Sequence, residues 1–160
     1  MTTKPGERRL QILQTLAQML ETPRGERVTT AALAARLECS EGALYRHFAS
    51  KAQMFEGLIE FIEQSLFGVI NQITSEEVQG LTQVESILGL LLRFAQKNRG
   101  MTRVLIGDAL VNEDERLQGR ISVLLDKVEA ALKQALRIAA TQESLKADAD
   151  FGALANLLRC

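Results

Sequence analysis

Only two prolines interrupt the 160 residues, Pro5 and Pro23, and both lie near the start. Proline is the strongest helix breaker, so everything beyond Pro23 is free to run helical. Cysteine is equally scarce. Cys39 and Cys160 are too few for a disulfide framework, which agrees with a reducing compartment. The single histidine, His47, argues against a histidine metal site and leaves no nucleophile–base pair built on further histidines. No apolar run approaches the roughly 18 residues of a membrane span; the longest, 87–92, contains Gly89. The opening MTTKPGERR lacks the apolar stretch of a secretory signal. There is no Gly-rich phosphate loop and no metal-spaced Cys/His cluster. The expectation is a cytoplasmic protein with no catalytic residue, no metal, no cofactor and no membrane contact.

What is present describes a folded protein. A hydrophobic share of 46% with 24% charged residues is ordinary for a globular chain and argues against disorder. A chain of this length buries roughly 70% of its unfolded surface, enough for a real core. The net charge of −1 conceals an asymmetry. Residues 1–52 hold eight Lys/Arg against five acids, leaving eleven against fifteen in 53–160. A basic head on an acidic body suits contact with a polyanion at one end, although so small a surplus also arises by chance.

Periodicity predicts an all-α fold. Leu10, Ile12, Leu13, Leu16, Ala17 and Leu20 recur at helical spacing and place a first helix over about 6–21. TPRGER is a polar break. Thr29 or Thr30 caps a short helix over about 31–37, and Ser40 caps another over about 41–48. Ser50 caps a fourth helix to about residue 73, and a fifth covers about 82–97, with Gly100 as its expected C-cap. A sixth spans about 101–111, and Asn112 is the expected cap of a seventh that runs to about 140. An eighth starts near Leu145 and is still running at Cys160, so the natural protein is expected to be longer. The expected division is a helix-turn-helix head over 1–52, with the motif at about 29–48, and a helical regulatory and dimerisation body over 53–160.

Two short helices joined by a three-residue turn carry the chemistry. Leu33, Ala34, Leu37, Cys39, Leu44 and Phe48 supply the inward face, with Cys39 read as a small buried hydrophobe. The outward face of the second helix is then Glu41, Gly42, Ala43, Tyr45, Arg46 and His47. Such a helix enters the major groove with its N-terminal end at the bases. Gly42 and Ala43 are small enough for close approach to base edges, and Arg46 serves a guanine or a phosphate. Tyr45 and His47 can donate to phosphate oxygens, and Thr29, Thr30 and Lys51 sit at helix N-termini that favour phosphate. Each has a plainer reading: a half-buried core aromatic for Tyr45, a solvated surface group for His47 and for Lys51.

The string SEGALYRHFASK resembles the signature of the TetR family, which reads roughly S-x-x-x-L-Y-x-H-F-x-s-K; the likeness covers about residues 8–60. It implies a three-helix head, a linking helix, a body whose last two helices form a homodimer, and binding to palindromic double-stranded DNA. It also implies operator contacts at Thr29, Thr30, Ser40, Gly42, Ala43, Tyr45, Arg46, His47 and Lys51. One departure is Glu38, which stands where the family usually has a turn glycine.

A second stretch, LLLRFAQKNRGMTRVLIGDALVNEDERLQGRI, lies in the body, where family members normally diverge. Together with ERVTTAALAARLECSEGALYRHFASKAQMFEGLIEFIEQSL it is similar to one branch of the family, the nucleoid occlusion factors. This implies a nucleoid-associated inhibitor of cell division that, when DNA-bound, disrupts polymers of the tubulin-like protein FtsZ. The implied partner contacts are Phe61, Leu90, Lys97 and Asn98, with departures at Val69, where Arg is expected, and Arg93, where a small residue is expected. Phe61 and Leu90 also read as plain core. No small-molecule ligand is expected. The alternative is a ligand-responsive repressor, which needs an apolar cavity in the body; the sparse aromatics there, Phe94 and Phe151 beyond Phe67, offer little wall for one. A DNA-packaging protein would need a far more basic surface than a net charge of −1.

Overall fold

In a computed structural model the described residues are 4–22, 27–142 and 150–159, and among them every regular element is helical. The helices are α1 (Pro5–Met19), α2 (Thr30–Arg36), α3 (Glu41–Tyr45), α4 (Lys51–Glu76), α5 (Gly80–Lys97), α6 (Arg99–Leu105), α7 (Arg116–Thr141) and α8 (Phe151–Arg159), with a 3-10 turn at Asp108–Leu110. The all-α expectation holds. None of these helices is long and apolar enough to cross a membrane.

The chain packs as two compact units, described here separately. The first comprises Met1–Ile62 and Lys97–Arg120, the second Glu63–Gln96 and Ile121–Cys160, each as far as its residues are described. α4 is unbroken from Lys51 to Glu76, so packing does not part at residue 52.

In the first unit, α1 buries Ile12, Leu13, Leu16, Ala17 and Leu20, the stripe that its 3.6-residue period demands. Leu33, Leu44, Phe48, Phe55 and Leu58 are buried in the same unit. Gly100 is not a C-cap. It lies within α6, and a Cβ there would stand 1.9 Å from the Ala17 carbonyl oxygen. The glycine is needed because α6 runs against the backbone of α1. Three residues on, Arg103 Nη1 donates to the carbonyls of Leu20 (2.7 Å) and Thr22 (3.2 Å), so α6 satisfies the orphan end of α1.

The other boundary corrections have local causes. α3 ends at Tyr45, not at 48, because the chain must turn into α4, whose Gln53 N–H is capped by Ser50 Oγ at 3.2 Å. Asn112 does not cap α7. It takes a left-handed φ of 67°, and α7 begins at Arg116, whose N–H donates to Asp114 Oδ1 at 2.9 Å.

In the second unit, α7 buries Leu124, Val128, Leu132, Ala135 and Ala139, while Leu125, beside Leu124, is only half-buried. Gln142, just past α7, accepts from the Gly80 N–H at 2.9 Å and donates to the Val78 carbonyl at 2.8 Å, which ties the start of α5 to the end of α7. Arg159 of α8 pairs with Asp126 at 3.1 Å and Glu129 at 3.3 Å on α7. The expected start of the last helix near Leu145 and its end at Cys160 fall outside the described residues.

Candidate nucleic-acid interface

The motif is built by two caps and a tight turn. Thr29 is the N-cap of α2, its Oγ1 accepting the Ala32 N–H at 3.1 Å. Ser40 does the same for α3, accepting the Ala43 N–H at 3.2 Å. In both caps the hydroxyl oxygen is used as an acceptor, which leaves its proton free for an outside acceptor. Between them, Glu38 sits at φ 53°, the left-handed conformation that its family-glycine position implies. A non-glycine residue there costs about 1 kcal/mol.

The inward face matches the sequence at Leu33, Ala34, Leu44 and Phe48, all buried. Phe48 seats against Gly57 of α4, where an added Cβ would come within 2.8 Å of its ring. Cys39 departs from expectation: it is half-exposed because it lies in the turn itself, its N–H bonded to the Ala34 carbonyl at 3.0 Å. Leu37 is half-buried for the same reason.

On the outward face Gly42, Tyr45 and Arg46 are exposed, while Ala43 and His47 are half-buried. Tyr45 is 44% exposed, so it is not a core aromatic. A Cβ at Gly42 would meet nothing closer than Ser40 Oγ at 3.8 Å, so the backbone stands open to a large flat partner. Arg46 makes no hydrogen bond or ion pair with any described residue. It is a free cation at the C-cap of α3.

The remaining candidates are engaged internally. Thr30 Oγ1 donates to Glu41 Oε2 at 2.7 Å, and the Tyr45 hydroxyl reaches Thr30 Oγ1 at 3.5 Å. This chain of bonds bridges α2 to α3. Lys51 Nζ is paired with Glu113 Oε1 at 2.7 Å and lies 5.9 Å above the Phe55 ring. His47 is tied through its backbone: its carbonyl accepts Arg9 Nη1 at 2.8 Å. Arg8 Nη2 reaches the Leu37 carbonyl at 3.4 Å, so two neighbouring arginines of α1 hold the ends of α2 and α3. Sequence reasoning placed Glu41 on the outward face without its bond to Thr30, and missed Arg8, Arg9 and Glu113. These partners lie 11 to 86 residues away, where no periodic signal reaches.

The candidate partner residues are placed as follows. Phe61 of α4 and Asn98, between α5 and α6, line one open groove of about 430 Å³ with Gln14, Ala17, Gln18, Glu21, Gly100 and Met101. Lys97 precedes Asn98 and is exposed. Phe61 is half-buried, neither plain core nor free surface. In the second unit Leu90 is half-buried, Val69 is 40% exposed and Arg93 is exposed, with its Nη1 3.0 Å from where a Cβ on Gly89 would stand.

Two family descriptions match this chain. "Bacterial regulatory proteins, tetR family" matches residues 24–58, and "Tetracyclin repressor-like, C-terminal domain" matches residues 78–160. Nucleoid occlusion factor SlmA of Alteromonas mediterranea is 54% identical, over 98% of this chain and 80% of its own length. The protein of the same name from Idiomarina loihiensis is 52% identical over 99% of this chain and 81% of its own length, and that of Shewanella pealeana 56% over 94% and 77%. Among solved structures, the TetR family transcriptional regulator PfmR of Thermus thermophilus superposes with a TM-score of 0.77 at 19% identity, covering 99% of this chain and 82% of its own. A TetR-family transcriptional regulator of Bordetella parapertussis gives 0.69 at 20% identity, covering 94% and 91%. These two likenesses bear on the fold alone.

Proposed function

This chain belongs to the TetR family and, within it, to the nucleoid occlusion factors, and we propose that it acts as a DNA-bound homodimeric inhibitor of cell division. Members of this family are DNA-binding regulators, not enzymes. The observation that carries the reading is identity of 52–56% to factors of that name extending over at least 94% of the chain, body as well as head.

The head, residues 1–52, reads DNA. A dimer presents two copies of α3 about one helical turn apart, near 34 Å, and so selects palindromes. Gly42 and Ala43 let the backbone of α3 approach the base edges, and Arg46 supplies a fork for a guanine. The hydroxyls of Thr29, Thr30, Ser40 and Tyr45, with His47 and Lys51, serve the phosphates on either side. The body, residues 53–160, supplies the dimer contacts and the surface for FtsZ, with Phe61, Leu90, Lys97 and Asn98 as its contact residues. The half-exposed Phe61 beside Asn98 gives that groove an aromatic floor with polar edges, a fitting seat for a peptide. The protein works on the nucleoid, where it keeps FtsZ polymers from assembling over unsegregated DNA.

The test is a map of the protein's binding sites over its own chromosome, followed by sedimentation of FtsZ polymers with and without a palindromic duplex recovered from that map. Many dispersed palindromes, sparse near the replication terminus, and polymer loss that requires the duplex are the expected results. One or two sites beside a transporter or enzyme gene would instead make it a ligand-controlled repressor.

A further inference from the structure

Glu113 lies outside the helix-turn-helix, between the 3-10 turn and α7, yet its carboxylate is bonded to the cations that flank the motif. Its Oε1 accepts Lys51 Nζ at 2.7 Å and Arg27 Nε at 3.4 Å, and its side chain is only 8% exposed. Arg27 Nη2 also donates to the carbonyl of Asn112 at 2.9 Å. Asn112 has φ 67°, so a sharp turn of the backbone presents carbonyl and carboxylate together. Lys51 opens α4 directly after its cap Ser50, and Arg27 stands two residues before the cap Thr29.

An ammonium and a guanidinium converging on one oxygen, through charge-assisted bonds, is the donor set that a DNA phosphate demands. We infer that Glu113 is an intramolecular stand-in for a backbone phosphate, held on Lys51 and Arg27 in the unbound protein and displaced from them by duplex DNA. The inference rests on the reading of the α2–α3 face as the DNA-binding surface. Its physical consequence is a competition. When duplex takes Lys51 from Glu113, the freed carboxylate takes up a cation from solution, which offsets one of those that the lysine displaces from the DNA. Counterion release drives much of the affinity and sets its salt dependence. Glu113 therefore weakens binding to every sequence alike and flattens the salt dependence.

The experiment compares the intact chain with Glu113→Gln on a labelled random-sequence duplex over a range of salt. Glutamine keeps the shape and removes the charge. The expected result is tighter binding, by about 3- to 10-fold at low salt, with a slope of log K against log salt steeper by about one unit. Adding Lys51→Gln to that variant returns both to near the starting values. Weaker binding, or an unchanged slope in a folded Glu113→Gln variant, would make Glu113 a structural strut and overturn the proposal. Should the variant unfold, hydrogen exchange on the unaltered protein decides. The Glu113 amide, bonded to the Leu110 carbonyl at 3.0 Å, is expected to exchange faster once duplex is added. Equal or slower exchange overturns the proposal. A native chain that binds no duplex at low salt would sink the DNA-binding reading itself, which is a different failure.

Discussion

The guanidinium of Arg9 stacks 4.1 Å from the centroid of the Phe48 ring while its Nη1 donates to the carbonyl of the adjacent His47 at 2.8 Å. One α1 side chain thus fixes both the buried anchor and the exposed end of the segment that follows α3. Arg9→Ala is expected to cost about 1 kcal/mol, the sum of an exposed cation–π contact and a net hydrogen bond. Arg9→Lys recovers little, because an ammonium cannot stack flat and reach the carbonyl together. Urea unfolding of the three proteins checks this; a full rescue by lysine would reduce Arg9 to a simple charge.

Glu38 occupies a left-handed turn. Glu38→Gly should therefore stabilise the chain by up to about 1 kcal/mol, partly offset by the greater freedom of glycine in the unfolded state. The measurement is the midpoint of urea unfolding, and a midpoint that falls would show that the turn favours the longer side chain.

Gly100 admits no side chain, since a Cβ would stand 1.9 Å from the Ala17 carbonyl. Gly100→Ala must push α6 from α1, and a loss of about 2–4 kcal/mol follows from overpacking against rigid backbone. A variant that unfolds like the parent would mean the two helices part without cost.

Arg46 is an exposed cation of the motif with no partner among the described residues. Arg46→Ala should weaken binding to a palindrome by about 1–3 kcal/mol and hardly change binding to random duplex, as expected for a base-reading arginine. Fluorescence anisotropy on both duplexes distinguishes this from a phosphate contact, for which the two losses would be equal.

Phe61 and Asn98 share a groove on the first unit. Phe61→Ala with Asn98→Ala is expected to abolish duplex-dependent loss of FtsZ polymers while leaving DNA binding within about twofold, a difference of roughly 0.4 kcal/mol. Loss of both activities together would mean that the pair supports the fold and not the partner.

Much of this was legible in the chain itself. The stripe of Ile12, Leu13 and Leu16 and the caps Thr29, Ser40 and Ser50 act over three or four residues, so spacing alone located α1 to α4. The outward face of α3 followed from the same period. Gly100 was misread because a glycine after a helix and a glycine under a crossing helix look alike until the second helix is in place. Tertiary structure alone decided which polar groups were already spoken for. Lys51 meets Glu113 across 62 residues, and Arg27 meets it across 86. Local periodicity says where a side chain points along its own helix. It carries no information on which distant charge the fold brings to meet it, and that meeting separates the free Arg46 from the engaged Lys51.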